Sequence, residues 1–173
     1  MRYSGRDLLL GGLFLALALV VPVLFHAVGL GSAFLPMFFP ILITGFLVAW
    51  PVAVVVGFIA PLFSALLTGM PPLFPPVAFI MMAEGLFLAG IPALLYQRYR
   101  WNLLVTLVIT LLVDRLVLLG GVLMASRWLH LPEGVLGLAS LIRGLPGIAL
   151  ILVLIPPLVK KLQQRMSFLC VME

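Results

Sequence analysis

Glu84 is an isolated acid. The 76 residues from Leu8 to Ala83 contain no Asp, Glu, Lys or Arg, and the run Ile80-Met81-Met82-Ala83-Glu84-Gly85 then introduces one. Asp114 and Arg115 interrupt a second apolar stretch, and Arg143 lies in Leu141-Ile142-Arg143-Gly144-Leu145-Pro146-Gly147. Ionisable groups are costly inside a bilayer. They therefore pair with one another or face a polar cavity, and they mark functional sites by default. Two acids and two arginines at one cavity would suit a small ligand carrying a carboxylate or a zwitterion. Asp114 and Arg115 are adjacent, so on a helix they point about 100° apart and pair poorly with each other. One would then face the cavity, and the other would need a partner on a neighbouring helix. A structural ion pair, Glu84 with Arg143 or Asp114 with Arg143, is the competing reading for any one of these residues. As a set, they point to a polar site.

Other chemistry is poorly represented. The chain has no HExxH, no GxSxG, no Walker loop and no paired acidic metal site, so an enzyme is not expected. No cofactor and no metal are expected. Cys170 is the single cysteine, which excludes an intrachain disulfide and a cysteine-based zinc site. Met81 and Met82 read as adaptable packing, because no second soft cluster accompanies them. His26 reads as an interfacial histidine. Without an ATP-binding motif, active transport by this chain would need an outside energy source.

Composition defines the solvent. The chain has 173 residues, of which 65% are hydrophobic and 9% charged, and its mean hydropathy is +1.35. A soluble domain carries about a quarter charged residues. We therefore expect one all-α, membrane-embedded domain over residues 1–173, with lipid around it. Apolar runs of about 20 residues suffice to cross the hydrocarbon core. Breaks at Pro, Gly and polar clusters predict spans at about 7–28, 37–50, 52–68, 77–96, 102–126 and 138–159. The second and third are short, which suggests tilt or incomplete crossing, and Gly90 and Pro92 predict a kink in the fourth. The basic start and apolar first run resemble a signal peptide. No small-residue cleavage site follows, so the run reads as a retained span.

The cations set the expected orientation. Arg2 and Arg6 precede the first span, Arg98 and Arg100 follow the fourth, and Lys160, Lys161 and Arg165 follow the sixth. If all three clusters face the cytoplasm, an even number of spans must separate each pair, and four then two satisfy this. No basic stripe is interleaved with stacking aromatics, so nucleic acid is not an expected partner. Both termini are expected inside. The Gly- and Pro-rich loops after spans one and three, and the polar loop Arg127–Gly134 after span five, are expected outside. Trp50, Trp101 and Trp128 fall at predicted interfaces, where tryptophan is common. Gly12 and Ala16 form a small-xxx-small pair that lets another helix approach closely.

Three strings carry a resemblance. They are Phe34-Leu35-Pro36-Met37-Phe38-Phe39-Pro40-Ile41-Leu42-Ile43-Thr44-Gly45, then Ala60 to Pro72 followed by Met81-Met82-Ala83-Glu84, then Gly144-Leu145-Pro146-Gly147-Ile148 running on to Ile155-Pro156-Pro157-Leu158-Val159. Together they resemble the substrate-binding S components of energy-coupling factor (ECF) transporters, over nearly the whole chain. The resemblance implies six helices with cytoplasmic termini in a prokaryotic cell membrane. It also implies capture of a vitamin or related micronutrient from outside. The implied partners are a transmembrane T component and two ABC ATPases, docked through small residues such as Gly12 and Ala16. The implied ligand site lies between the outer loops and the outer halves of helices four to six. That region holds Glu84, Arg115, Arg143 and Asp114, with Phe34, Met37, Thr68 and Met81 on the adjoining loops and helix ends. Relatives often carry histidine where Phe38 stands, which bears on substrate preference. The alternatives are a standalone secondary carrier, for which no internal repeat is evident, and a non-transport membrane subunit whose charges serve assembly.

Overall fold

The computed structural model describes residues 3–27, 29, 34–73, 77–129, 142 and 144–171. Six helices carry the described chain, and no strand occurs among the described residues. They are α1 (Gly5–Ala27), α2 (Phe38–Leu47), α3 (Trp50–Thr68), α4 (Val77–Pro92), α5 (Leu103–Leu129) and α6 (Leu145–Val171). A π-helical turn, Ala93–Arg98, extends α4. Five of the six are long and apolar enough to cross a membrane, and α2 is the exception. The chain is a multi-pass membrane protein.

Local sequence explains where these helices start and stop. Ser4 caps α1: its backbone N–H and its Oγ–H both donate to Asp7 Oδ2, at 2.8 and 2.9 Å, and Asp7 N–H donates back to Ser4 Oγ at 3.3 Å. This is a capping box built on Ser4-Gly5-Arg6-Asp7. Asp7 Oδ1 also accepts from Ala49 N–H at 3.0 Å, which ties the start of α1 to the α2–α3 turn. Pro51 stands in the first turn of α3, where its missing N–H costs nothing. Gly69 ends α3 with φ of 71°, a left-handed cap that glycine adopts freely. Pro92 lacks the N–H that would bond to Leu88, and α geometry gives way to the π turn directly after it. The expected irregularity in span four therefore lies after Pro92, not at Gly90.

Several expected boundaries shift. Trp50 opens α3 instead of closing span two, and α3 is a full 19-residue crossing. The α5 helix runs on to Leu129, so Arg127 and Trp128 belong to its last turn and not to a loop. The α6 helix continues to Val171, past Lys160, Lys161 and Arg165. Its expected start at 138, together with His130 and Glu133, lies outside the described residues.

The α2 helix has 10 residues, about 15 Å of rise, half the hydrocarbon thickness. It is nevertheless almost wholly buried, with Ile41, Leu42 and Phe46 in the core beside Leu88, Leu107, Ile151 and Ile155. A short apolar helix survives in a membrane when other helices surround it. Gln97 closes its lower end, donating from Nε2 to Gly45 O at 2.6 Å and Val48 O at 2.7 Å. Those carbonyls would otherwise be unsatisfied at the helix terminus. Arg6 Nη2 reaches Met166 O at 3.3 Å, bringing the start of α1 to the end of α6. Residues 3–7, 45–50, 96–101 and 163–166 thus share one end of the bundle, the basic end. The α1–α2 and α3–α4 connections lie at the other.

Small residues set the helix spacing around α4. A Cβ added to Gly57 or Gly85 would strike the other's carbonyl oxygen, and one added to Gly45 would strike the Ala89 backbone. Backbones this close need glycine, and such contacts drive association where lipid removes the hydrophobic driving force. Gly57→Ala or Gly85→Ala should therefore destabilise the protein by about 1–3 kcal/mol, the usual cost of overpacking, read as a fall in Tm in detergent. Gly12→Ala adds a methyl that meets nothing within 4 Å and should change stability by less than about 0.5 kcal/mol. Equal Tm values for all three variants would refute this packing account.

Candidate functional site

At the end opposite the basic one, a cavity of about 640 Å³ opens among α1, the α1–α2 connection, α3, α4 and α5. Because α2 begins only at Phe38, half a membrane short, Met37 and Phe38 form part of the lining instead of being covered by another turn of helix. Leu35 adopts φ of 50°, uncommon for a residue with a side chain, and it also lines the cavity. The far wall is held by hydroxyls. Ser64 Oγ donates to Met70 O at 2.7 Å, and Met70 N–H donates to Thr68 Oγ1 at 3.3 Å, pinning the loop after α3 over the site.

The charged residues converge here. Glu84 on α4 is 3% exposed and lines the cavity, and Arg115 on α5 lines it from the other side. Arg115 Nη2 stands 3.7 Å from Glu84 Oε1, an ion contact too long for a hydrogen bond. Asp114 is 0% exposed and lies outside the lining. Its Oδ2 accepts from Arg115 Nη2 at 2.6 Å and from Arg115 Nε at 3.0 Å. The expectation that these neighbours pair poorly is wrong. The 100° rule separates Cβ directions, whereas the long arginine side chain can fold its guanidinium back onto the preceding carboxylate. A buried carboxylate with no such partner would cost several kcal/mol. One of the two faces the cavity, as expected, and it is Arg115; the cross-helix contact, to Glu84, also belongs to Arg115, whereas Asp114 pairs with Arg115 on its own helix.

Two carboxylates therefore share one guanidinium. Glu84 Oε1 and Asp114 Oδ1 accept no hydrogen bond within the described structure. The Glu84 oxygen is the one on a cavity-lining residue, so it is the acceptor a bound molecule could meet. Asp114 holds Arg115 in place from behind.

The remaining sequence candidates are distributed as follows. Met37, Thr68 and Met81 line the cavity with Glu84 and Arg115. Phe34 does not line it. Its ring packs against Phe25 of α1, with centroids 6.4 Å apart. Arg143 lies outside the described residues, next to Gly144, which does line the cavity. Gly12 and Ala16 share one exposed face of α1 between Leu9, Leu13 and Leu17, and neither lines the cavity. Phe38, which the sequence connects with substrate preference, also lines the cavity, whereas sequence reasoning missed Ser64 and Leu118. Helical spacing could have found both: Ser64 is four residues before Thr68, and Leu118 is three after Arg115.

Residues 6–159 match the family model described as "ECF transporter, substrate-specific component". The chain belongs to this family. No curated protein and no solved structure matches it significantly. Membership makes the chain a substrate-specific transporter subunit. Such components bind substrate for transport, and the family association is with a T component and ATPases. In this ECF component, the cavity between α3, α4 and α5 combines a largely apolar lining with a few convergent polar groups, as small-molecule sites do.

The geometry assigns different costs to the three charges. Arg115→Met strands two buried carboxylates and should cost about 3–5 kcal/mol, seen as a large fall in Tm. The double variant Arg115→Met, Asp114→Asn should recover more than half of that loss. Glu84→Gln removes a contact without a hydrogen bond and should leave Tm near that of the parent. If Glu84→Gln lowers Tm as much as Arg115→Met, Glu84 is a structural partner and not a free acceptor.

Proposed function

We propose that this chain is the capture subunit of an ECF-type ABC importer for a vitamin or related micronutrient. The observation that carries this reading is Glu84. In a substrate-specific transport component, a buried carboxylate with an oxygen that accepts no hydrogen bond lines a ligand-sized cavity beside an arginine that a second carboxylate holds in place. Glu84 and Arg115 contact the ligand, and Asp114 positions Arg115. Met37, Thr68 and Met81 supply the apolar and hydroxyl walls, and Phe34 packs the rim against α1. Arg143 joins them on sequence grounds and by its place next to Gly144. Phe38 makes the floor of the site apolar. Residues 1–173 act as one membrane-embedded domain. The basic end faces the cytoplasm of a prokaryotic cell, and the cavity opens outward. ATP is hydrolysed by the partner ATPases and not by this chain. The exposed small face of α1, at Gly12 and Ala16, receives the T component.

Orientation is tested by labelling. Met70→Cys, on the exposed loop after α3, should react with a membrane-impermeant maleimide added to intact cells, and Tyr99→Cys should react only after lysis. Reaction at Tyr99→Cys from outside would invert the proposed topology.

Capture and docking are tested together. Native mass spectrometry of the purified protein should show a co-purified small molecule, and Glu84→Gln should lose it while staying monodisperse. Gly12→Leu or Ala16→Leu should weaken co-purification with the T component and ATPases at least ten-fold, because a bulky side chain blocks close helix approach. Ligand binding should be unchanged in both. Transport by the purified chain alone in liposomes would instead identify a standalone carrier. Retained ligand in Glu84→Gln would remove Glu84 from the site.

A further inference from the structure

A second cavity, about 690 Å³, lies at the basic end of the bundle. It opens among the start of α1, the end of α2, the π turn and the last turns of α6. No sequence candidate for substrate lies in it. Its polar lining is rich in donors; Gln97, whose Nε2 is committed to Gly45 O and Val48 O, adds an amide oxygen. Arg6 and Arg100 contribute guanidiniums, Trp101 an indole N–H, and Gln163 a side-chain amide. Tyr96 donates its hydroxyl to Gln163 Oε1 at 2.9 Å, so the amide oxygen is engaged and the N–H groups are the part of Gln163 left to donate. No lining residue is acidic. Asp7, next to Arg6 in the chain, has its carboxylate committed to Ser4 and to the Ala49 N–H.

The backbone is arranged to put Arg100 there. Among the described residues, the non-glycine positions with positive φ are Leu35 and Arg100, and each lines one of the two cavities. Arg100 has φ of 59°, a conformation that costs free energy in any residue with a Cβ. Such strain persists where the surroundings impose it, and it clusters at ligand sites. Here Tyr99 N–H bonds to Leu94 O at 3.1 Å and Trp101 N–H to Leu95 O at 3.0 Å. These two bonds wind the chain back against the π turn on either side of Arg100.

The apolar part of the lining is Phe46, Leu47 and Met166. Exposed Tyr99 and Trp101 stand beside it, aromatic residues of the kind that sit at headgroup level. Cationic and apolar walls together suit an amphiphile with an anionic head. Basic pockets between helices at a membrane surface bind acidic lipid head groups. We propose that this cavity holds the phosphate of an anionic phospholipid from the leaflet at the basic end, with Arg6 and Arg100 as its ligands and Phe46, Leu47 and Met166 against the glycerol and upper acyl chain. The site is separate from the substrate cavity and does not depend on what that cavity binds.

The test uses the purified full chain in a non-ionic detergent, titrated with phosphatidylglycerol, phosphatidylcholine or inorganic phosphate. Thermal shift and lipid retained in native mass spectrometry are the readouts. Phosphatidylglycerol should raise Tm and remain bound, and phosphatidylcholine should do neither. Arg100→Gln should weaken phosphatidylglycerol binding about five-fold, the scale of one cation at a lipid surface. Arg6→Gln, Arg100→Gln together should abolish it. Arg98→Gln removes the same charge from an exposed residue outside the lining and should leave binding within two-fold of the parent. The single Arg100→Gln variant keeps the test intact if loss of the Arg6 bond to Met166 harms folding. Equal losses in Arg98→Gln and Arg100→Gln would reduce the effect to diffuse surface charge and overturn the proposal. Competition by millimolar inorganic phosphate would reassign the cavity to a free anion. Unchanged lipid binding in Arg100→Gln with weakened T-component capture would make the cavity a protein-docking surface.

Discussion

The bundle depends on how closely α4 can approach its neighbours. Gly85 meets Gly57 of α3 backbone to backbone, and Ala89 meets Gly45 of α2 in the same way. In lipid, apolar side chains gain little by leaving solvent for a helix interface, so tight backbone packing must hold the helices. This contact has a directional consequence. Gly85 fixes the face that α4 turns toward α3, and Glu84, one residue earlier, is thereby rotated toward α5 and the cavity. The chemistry of the site is set by a neighbour with no side chain.

The second constraint is the cost of buried charge. Asp114 is fully buried, and only Arg115 pays part of that cost, through two hydrogen bonds from one guanidinium. Arg115 is then unable to swing fully to Glu84, which it approaches to 3.7 Å. A pair satisfied on both sides would be a structural lock with nothing left to offer. The actual arrangement is satisfied on one side and open on the other. Asp114 is held by two hydrogen bonds, whereas Glu84 Oε1 has an ion contact and no hydrogen bond.

Much of this was legible in the sequence, and the failures have identifiable causes. Charge placement and apolar run length gave the number of helices, the all-α class and the convergence of Glu84, Asp114 and Arg115, because bilayer physics leaves few other ways to arrange them. Boundaries were less legible. Apolar composition is continuous through Ala49-Trp50-Pro51, and the polar Ser126 and Arg127 do not end α5, so composition does not decide where a helix stops. The capping box is legible as the motif Ser4-Gly5-Arg6-Asp7. The Asp114–Arg115 pairing escapes a rule about Cβ directions because the arginine side chain is long enough to fold back. The cavity at the basic end was invisible, since its members come from four separate segments and Arg100 owes its place to a backbone angle that no residue type signals.

Two elements run between the cavities. The α2 helix gives Met37 and Phe38 to one and Phe46 and Leu47 to the other, and α4 with its π turn gives Glu84 to one and Tyr96 and Gln97 to the other. Gln97 bonds the lower end of α2 to the extension of α4, and Gly45 against Ala89 joins them midway. The two therefore behave as one packed unit, because neither contact can slide without breaking a buried bond or creating a clash. The exposed face of α1, in contrast, carries no such cross-links at Gly12 and Ala16. The division follows from physics. The elements that line the two cavities are locked to each other, and the exposed face of α1 is left without such cross-links.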